Sequence, residues 1–291
     1  MSTQQPTHFI NQYTNNITIL QQQMFANLRN AVDTETVNGE FAFFDQVAAT
    51  SMSEITTRHG DTELTDTIHR RRRVGMQDFG VADMIDNADK VRTLNDPTNP
   101  YVRQFASAAG RQTDDLIIAA FDATVSTGKT GTGSDAFDTG TYQIAAGGTN
   151  LTTDKLRTAR KILEAAENPE DDSDNQWYVV CSANQRAALL ADSEYQNSDF
   201  NSVKALVDGN VDDWLGFKFL KSERLSLSTN DRSCWAWRKA SMKLAIGADP
   251  TGFIDVIPTK NHSTQVRYAM TQGAVRMDQV GVVEIICDET A

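Results

Sequence analysis

Cysteine is scarce. The 291 residues hold three, Cys181, Cys234 and Cys287, an odd number set far apart in or beside apolar stretches. A disulfide framework needs paired cysteines in a small domain, so buried thiols of a reducing compartment are expected instead. Long hydrophobic runs are also missing. The longest, Leu116 to Phe121, falls far short of the roughly 20 residues that cross a bilayer. The N-terminal stretch lacks a basic start followed by an apolar segment, so neither a spanning helix nor a classical export signal is expected. Positive charge is in deficit, with 27 Lys and Arg against 39 Asp and Glu and a net charge of -12. A surface that grips phosphates everywhere draws on clustered cations, so nucleic acid is not the obvious ligand. No internal repeat is visible. What the length does supply is enough chain for one large or two modest cores stabilised by burial alone.

Residues 1–40 are rich in Gln, Asn and Thr, with scattered apolar residues such as Phe9, Ile17, Leu20 and Phe25. Such a composition makes a poor core, and contacts with neighbouring copies are the simplest way to tie it down. From Phe41 to Phe79 short alternating stretches, Glu54 to Thr57 and Glu63 to Ile68, flank Arg58-His59-Gly60-Asp61. This pattern predicts a long hairpin with a turn near Gly60, too poor in apolar residues to bury itself. Asn99-Pro100 predicts a short helix, and Thr113 with Asp114 and Asp115 predicts the start of a second that ends by Gly128. A Gly/Thr/Ser-rich connection over 126–150 follows. Thr152 or Thr153 then caps what reads as the longest helix, with Leu156, Ala159, Leu163 and Ala166 on one face and Asn168-Pro169 as its stop. The apolar run Trp177 to Cys181 followed by Ser182 and Gln185 at capping-box spacing predicts a strand turning into a helix. Strands are predicted near 217–221, 234–238, 242–246, 253–257, 264–270 and 280–287. Helices and strands segregate rather than alternate, which favours α+β over a doubly wound sheet.

Several motifs can be read as chemistry. His69-Arg70-Arg71-Arg72-Arg73 is a basic run in an acidic chain. On a strand, Arg70 and Arg72 face one way and Arg71 and Arg73 the other. Phosphate contact, pairing with carboxylates of an adjacent subunit and a solvated run all fit it. Gly128-Lys129-Thr130 resembles a phosphate-binding loop, but Ala123 stands where that motif needs glycine, and the strand before it and helix after it are missing. Cys181 or Ser182 could serve as a nucleophile with His262 as base and Asp255 as orienter; a core thiol and a helix cap explain the pair better. Asp171-Asp172-Ser173-Asp174 lacks the glycine and distal glutamate of a calcium loop and reads as a solvated turn. Trp235 and Trp237, two apart, read as core or interface anchors. No catalytic, cofactor or metal residue is assigned.

The order of features from Thr152 onward is the most specific part of the chain: the capped helix, the strand and capped helix over 177–190, Asp208-Gly209, Leu215 to Phe219, Lys243 to Ile246, and Gly273 to Ile285. With Arg58 to Thr62, Asp96-Pro97 with Tyr101, and Arg111-x-x-Asp114 before Leu116 to Ala120, it resembles the major capsid protein of tailed double-stranded-DNA bacteriophages. The resemblance runs from about Phe9 to the C-terminus. It implies the Hong Kong phage coat fold: an N-terminal arm (1–40), an extended loop (41–80), a peripheral domain (81–175) carrying a spine helix at 152–167, an axial domain (176–260), and C-terminal strands (261–291) returning to the peripheral domain. It also implies self-assembly of pentamers and hexamers into an icosahedral virion shell around DNA, a separate scaffolding protein, a portal protein, synthesis in the bacterial cytoplasm, and neither a membrane nor a cofactor. The arm and loop would lap onto neighbours, making Phe9, Phe25, Arg58, Arg70, Arg71, Arg72 and Arg73 the candidate inter-subunit contacts. No motif assigns the residues of a covalent crosslink, so none is expected. The alternatives are a cellular nanocompartment shell of the same fold, a cytosolic thiol or serine hydrolase, and a basic-loop DNA-binding module.

Overall fold

Three sheets organise the residues that the computed structural model describes: 22–54, 56–58, 60–62, 64–86, 98–165, 176–191 and 213–290. In chain order the elements are β1 (Asp33–Thr36), β2 (Phe41–Val47), β3 (His69–Gly75), β4 (Gln77–Ile85), α1 (Thr98–Asp122), β5 (Val125–Thr127), β6 (Gly133–Asp135), α2 (Thr139–Tyr142) and β7 (Gln143–Ile144). There follow α3 (Thr153–Ala165), β8 (Trp177–Cys181), α4 (Ala183–Ala191), β9 (Asp213–Trp214), β10 (Phe217–Lys221), β11 (Leu227–Ser228), β12 (Asp231–Arg238), β13 (Met242–Ile257), β14 (Ser263–Arg276) and β15 (Val282–Asp288). The α+β class expected from segregated helices and strands is what the chain adopts.

The first sheet runs β1-β13-β14-β4. The strands predicted at 242–246 and 253–257 are one bent strand, β13, whose pairing with β14 slips between Ile246 and Thr251. Pro250 stands in that irregular stretch; it has no N–H to give a ladder, and a bulge tolerates it. α1 lies across this sheet as one unbroken helix of 25 residues, about 37 Å long at 1.5 Å per residue. The sequence predicted two helices here. They fuse because Thr113 does not cap: its Oγ1 lies 3.1 Å from the Ala109 carbonyl inside the helix and 2.9 Å from Gln272 Oε1 on β14.

The second sheet has seven strands, β7-β15-β12-β8-β10-β9 with β11 beside β12. β8 and β10 are parallel, Trp177 opposite Phe217. α3 covers this sheet, with Leu156, Ala159 and Leu163 fully buried. Two expectations are corrected here. The helix predicted at 152–167 is present as α3, with Thr152 Oγ1 accepting from the Lys155 N–H at 3.4 Å, but its 13 residues make it half the length of α1. The longest described helix is α1; the stop at Asn168-Pro169 lies outside the described residues. The boundary placed at 260 also moves. β13 and β14 pair along their whole length and cannot belong to different sheets, so the chain leaves the seven-stranded sheet after Arg238 and re-enters it only with β15.

The third sheet, β2-β3-β5-β6, is small. Gly60 does turn the chain, its N–H reaching the Thr57 carbonyl at 3.4 Å. Among the described residues the stretches beside it do not pair, however: the ladder is confined to β2 and β3, and its last rung is Ala48 N–H to the Ile68 carbonyl at 2.9 Å. Met52 and Leu64, with 101% and 91% of their surface exposed, find nothing to pack on among the described residues. The glycine-rich connection 126–150 is more ordered than predicted, forming the β5–β6 hairpin, α2 and β7.

The C-terminal end of α1 plugs the main core. Phe121 stacks on Trp235 with ring centres 5.1 Å apart and meets Trp237 at 4.9 Å. The two tryptophans share a face of β12, as their spacing predicted, and the Trp237 indole donates to the Ala31 carbonyl at 2.9 Å. At the other end of the helix, Phe105 packs with Ile85 and Val266. One rod therefore ties the seven-stranded core to the tip of the long sheet.

Candidate functional site

The basic run forms β3, and the structure divides its four arginines unequally. Arg72 points inward. Its guanidinium pairs with Asp135 at 2.5 Å, and its Nε donates to the Met277 carbonyl at 3.1 Å. Arg71 faces outward and forks onto Asp45 across the ladder at 2.5 and 2.9 Å. That bond holds the Asp45 carboxyl below the usual carboxylate range and raises Arg71. Arg73 lies 4.7 Å over the Phe41 ring. Among the described residues, no side chain pairs with Arg70. Of the three readings of this run, partners within the same chain were not among them, yet they engage three of the four.

The signal for Asp45 was accessible in principle. Once the hairpin register is known, residues 45 and 71 are opposite. Asp135 carries no such signal, because β6 reaches β3 only through β5.

Beside this ladder lies an open recess of about 830 Å³ whose lining includes Asp45, His69, Arg70, Arg71, Lys129 and Asp135. Lys129 sits in the tight turn of the β5–β6 hairpin, where Gly128 and Gly131 both adopt positive φ, 89° and 71°. The strand-loop-helix setting of a nucleotide loop is absent there. A hairpin tip presents Lys129 to the recess instead.

The other predicted contact residues fall as follows. Phe9 and the acidic turn at 171–174 lie outside the described residues. Phe25 is 78% exposed, although its backbone presses on α1 so closely that a Cβ on Gly110 would stand 3.0 Å from its carbonyl carbon. Arg58 is exposed in the connection 48–68, among the exposed Met52, Leu64 and Ile68.

The hydrolase constellation does not assemble. Cys181 is fully buried, and burial pushes its thiol up to about 12. Ser182 caps α4, its Oγ accepting from the Asn184 N–H at 3.2 Å while Gln185 Oε1 accepts the Ser182 N–H at 3.2 Å. His262 sits in the β13–β14 turn, on a different sheet. A thiol this costly to ionise and a serine locked as a cap are poor nucleophiles. Among the described residues no group of His, Cys, Asp and Glu could hold a metal ion, and no helix is long and apolar enough to cross a membrane.

Sequence reasoning missed two buried charges that hold these surfaces together. Asp114 holds Gln23, Asn27 and Leu28 against α1. Arg276, 1% exposed, donates to the Phe121 carbonyl and, at 3.1 Å, to the Ala123 carbonyl, satisfying the C-terminal end of α1.

Known proteins share this arrangement. Over 98% of each chain, the fold matches one from Mycobacterium phage Che8 at 17% identity and a TM-score of 0.71. The capsid of cyanophage P-SCSP1u matches at 17% identity and 0.72, over 99% of this chain and 95% of that one. The cyanophage Pam1 capsid matches at 15% identity and 0.73, over 99% and 98%. No curated protein matches the chain. Residues 6–289 match the model of the phage capsid protein family. The chain therefore belongs to the phage capsid protein family and is a major capsid protein that forms the shell.

Proposed function

We propose that the chain assembles as pentamers and hexamers into an icosahedral shell enclosing double-stranded DNA, and that its role is structural rather than catalytic. The observation that carries this reading is the family match over 6–289. The seven-stranded sheet with α3 and α4 acts as the axial domain that gathers around the ring centres. The long sheet with α1 acts as the peripheral domain, and the connection 48–68 with the arm laps onto neighbouring copies. The net charge of -12 supports enclosure of DNA without tight binding, because like charges keep the polymer from adhering to the wall. Synthesis in a bacterial cytoplasm, where three free thiols stay reduced, completes the reading, with a separate scaffolding protein and a portal protein as partners.

The test is electron microscopy of the protein produced alone and together with its scaffolding partner. Closed shells or five- and six-membered rings are expected in at least one condition; a monodisperse monomer or dimer in both would overturn the proposal.

A further inference from the structure

Asn38 is the only asparagine of the chain followed by a glycine; each of the others precedes a residue with a side chain. Asn38 and Gly39 stand in the junction between β1, in the long sheet, and β2, in the small one. Both are exposed. The junction is pinned on either side of them: the Val37 N–H donates to the Ile246 carbonyl at 2.9 Å, and the Glu40 carbonyl accepts from the Met76 N–H at 3.0 Å. Between these two bonds, neither the Asn38 side chain nor the Gly39 N–H has a hydrogen-bond partner among the described residues. Gly39 adopts a φ of 133°, a conformation that side chains rarely allow, and the only atom near its missing Cβ is the Phe41 carbonyl oxygen at 3.7 Å. Other described asparagines differ. The Asn27 side chain donates to the Lys221 carbonyl at 3.1 Å, and Asn150 is buried ahead of Leu151.

An asparagine side chain and the backbone nitrogen that follows it can close a five-membered ring when neither is held elsewhere. A side chain on the following residue obstructs that approach, and glycine has none. We infer that Asn38 is a site of spontaneous deamidation, a covalent modification with water as co-reactant. The Gly39 nitrogen loses its proton and attacks the side-chain carbonyl carbon of Asn38; the side-chain nitrogen takes up protons and leaves as ammonia. Water then opens the resulting succinimide. Opening at the side-chain carbonyl gives aspartate, and opening at the backbone carbonyl gives isoaspartate, whose main chain runs through the former side-chain carbons. Either product adds one negative charge to a stretch that already holds Asp33, Glu35 and Glu40. Isoaspartate does more, because it inserts an extra backbone carbon between the bonds at Val37 and Glu40. One of those bonds must then lengthen or break, and the base of the β2–β3 hairpin shifts against the long sheet. The chain carries out this chemistry on itself, without an enzyme or a cofactor.

The experiment incubates full-length native protein at neutral and at mildly alkaline pH, with a denatured sample in parallel. Peptide mass spectrometry follows the exchange of –NH2 for –OH at each asparagine, and methyl transfer by an isoaspartyl methyltransferase reports the isoaspartate. In native protein Asn38 is expected to convert at least about tenfold faster than any other asparagine, and faster still at the higher pH, because the attacking nitrogen must lose its proton. Hydrogen exchange of the aged protein is expected to show lost protection at the Val37 and Met76 amides. Asn38→Gln, which would need a larger ring, is expected to unfold at the wild-type temperature and to keep both amides protected after the same incubation. Asn38→Asp adds the charge without the extra carbon and is expected to keep them protected too. Conversion of Asn38 in the denatured sample alone would mean that the fold shields the pair, and overturns the inference. So does conversion in the native protein no faster than at the other asparagines. Lost protection in fresh Asn38→Asp equal to that of aged wild type would assign the shift to charge and overturn the backbone account.

Discussion

Asp114, buried in the middle of α1, accepts the backbone N–H of Leu28 at 3.0 Å on one carboxylate oxygen, with the N–H of Asn27 at 3.0 Å on the other. Gln23 Nε2 adds a further bond at 2.5 Å. A carboxylate that reads as favouring the start of its own helix instead holds residues 23–28 against the helix. Beside it, Arg111 reaches Gln22 Oε1 at 2.7 Å and the Gln23 carbonyl at 3.1 Å. Gly110 lets the arm backbone come so close that a Cβ there would stand 2.9 Å from the Ala26 nitrogen.

Replacing Asp114 with alanine leaves buried N–H donors without an acceptor, and the subunit should lose about 2–4 kcal/mol, measured by chemical denaturation. The effect should depend on pH with a definite sign. Burial pushes the carboxyl pKa up more than the hydrogen bonds pull it down. Its folded value lies above its unfolded one, so ionisation subtracts stability as pH rises between the two. The gap between wild type and Asp114→Ala should therefore be wider below about pH 4 than at neutral pH; a gap that widens with pH would show the hydrogen bonds to be the stronger influence.

Arg276 makes a second prediction. Its guanidinium satisfies carbonyls at the end of α1 and lies 5.1 Å over the Phe137 ring. Arg276→Met keeps most of the volume and removes the donors, so the loss should come from the helix end, about 2–4 kcal/mol. Hydrogen exchange should localise it, with the last turn of α1 losing protection before the rest of the helix.

How much of this was legible in the sequence follows from what each signal is made of. Ser182 with Gln185, and Trp235 with Trp237, were read correctly because each pattern is local: a cap needs a partner three residues away, and a strand face repeats every second residue. The fusion of α1 was not legible. Thr113 and Asp114 carry the composition of a helix start, and what overrides it is Gln272 and Leu28, both more than 80 residues distant in sequence. The arginine run failed likewise. Its charge was visible, but Asp135 becomes a neighbour only when β6 folds back onto β5. The β13–β14 hairpin was divided between two domains at residue 260, which falls in its turn, and only the pairing shows both strands to belong to one sheet.

The three thiols should be inert. Cys181, Cys234 and Cys287 are all fully buried, and burial raises Cys181 to about 12. A thiol reagent at neutral pH should label none of them in the native subunit and all three after denaturation. Rapid labelling of Cys181 in native protein would mean that β8 opens locally, and would return the nucleophile reading to consideration.

Arg58 tests the exposed loop directly. It is the only lysine or arginine between residues 48 and 68, and no strand ladder protects the described backbone around it. A protease needs about ten residues of extended, accessible chain, which a loop of this kind supplies and a paired strand does not. Trypsin should therefore cut after Arg58 in the free subunit, leaving two fragments held together by the β2–β3 ladder until denatured. In assembled particles the cut should slow by an order of magnitude or more, because the exposed Met52 and Leu64 beside it are expected to be covered there. Equal rates in both states would mean that the loop stays free in the shell, and the apolar residues on it would then need another partner.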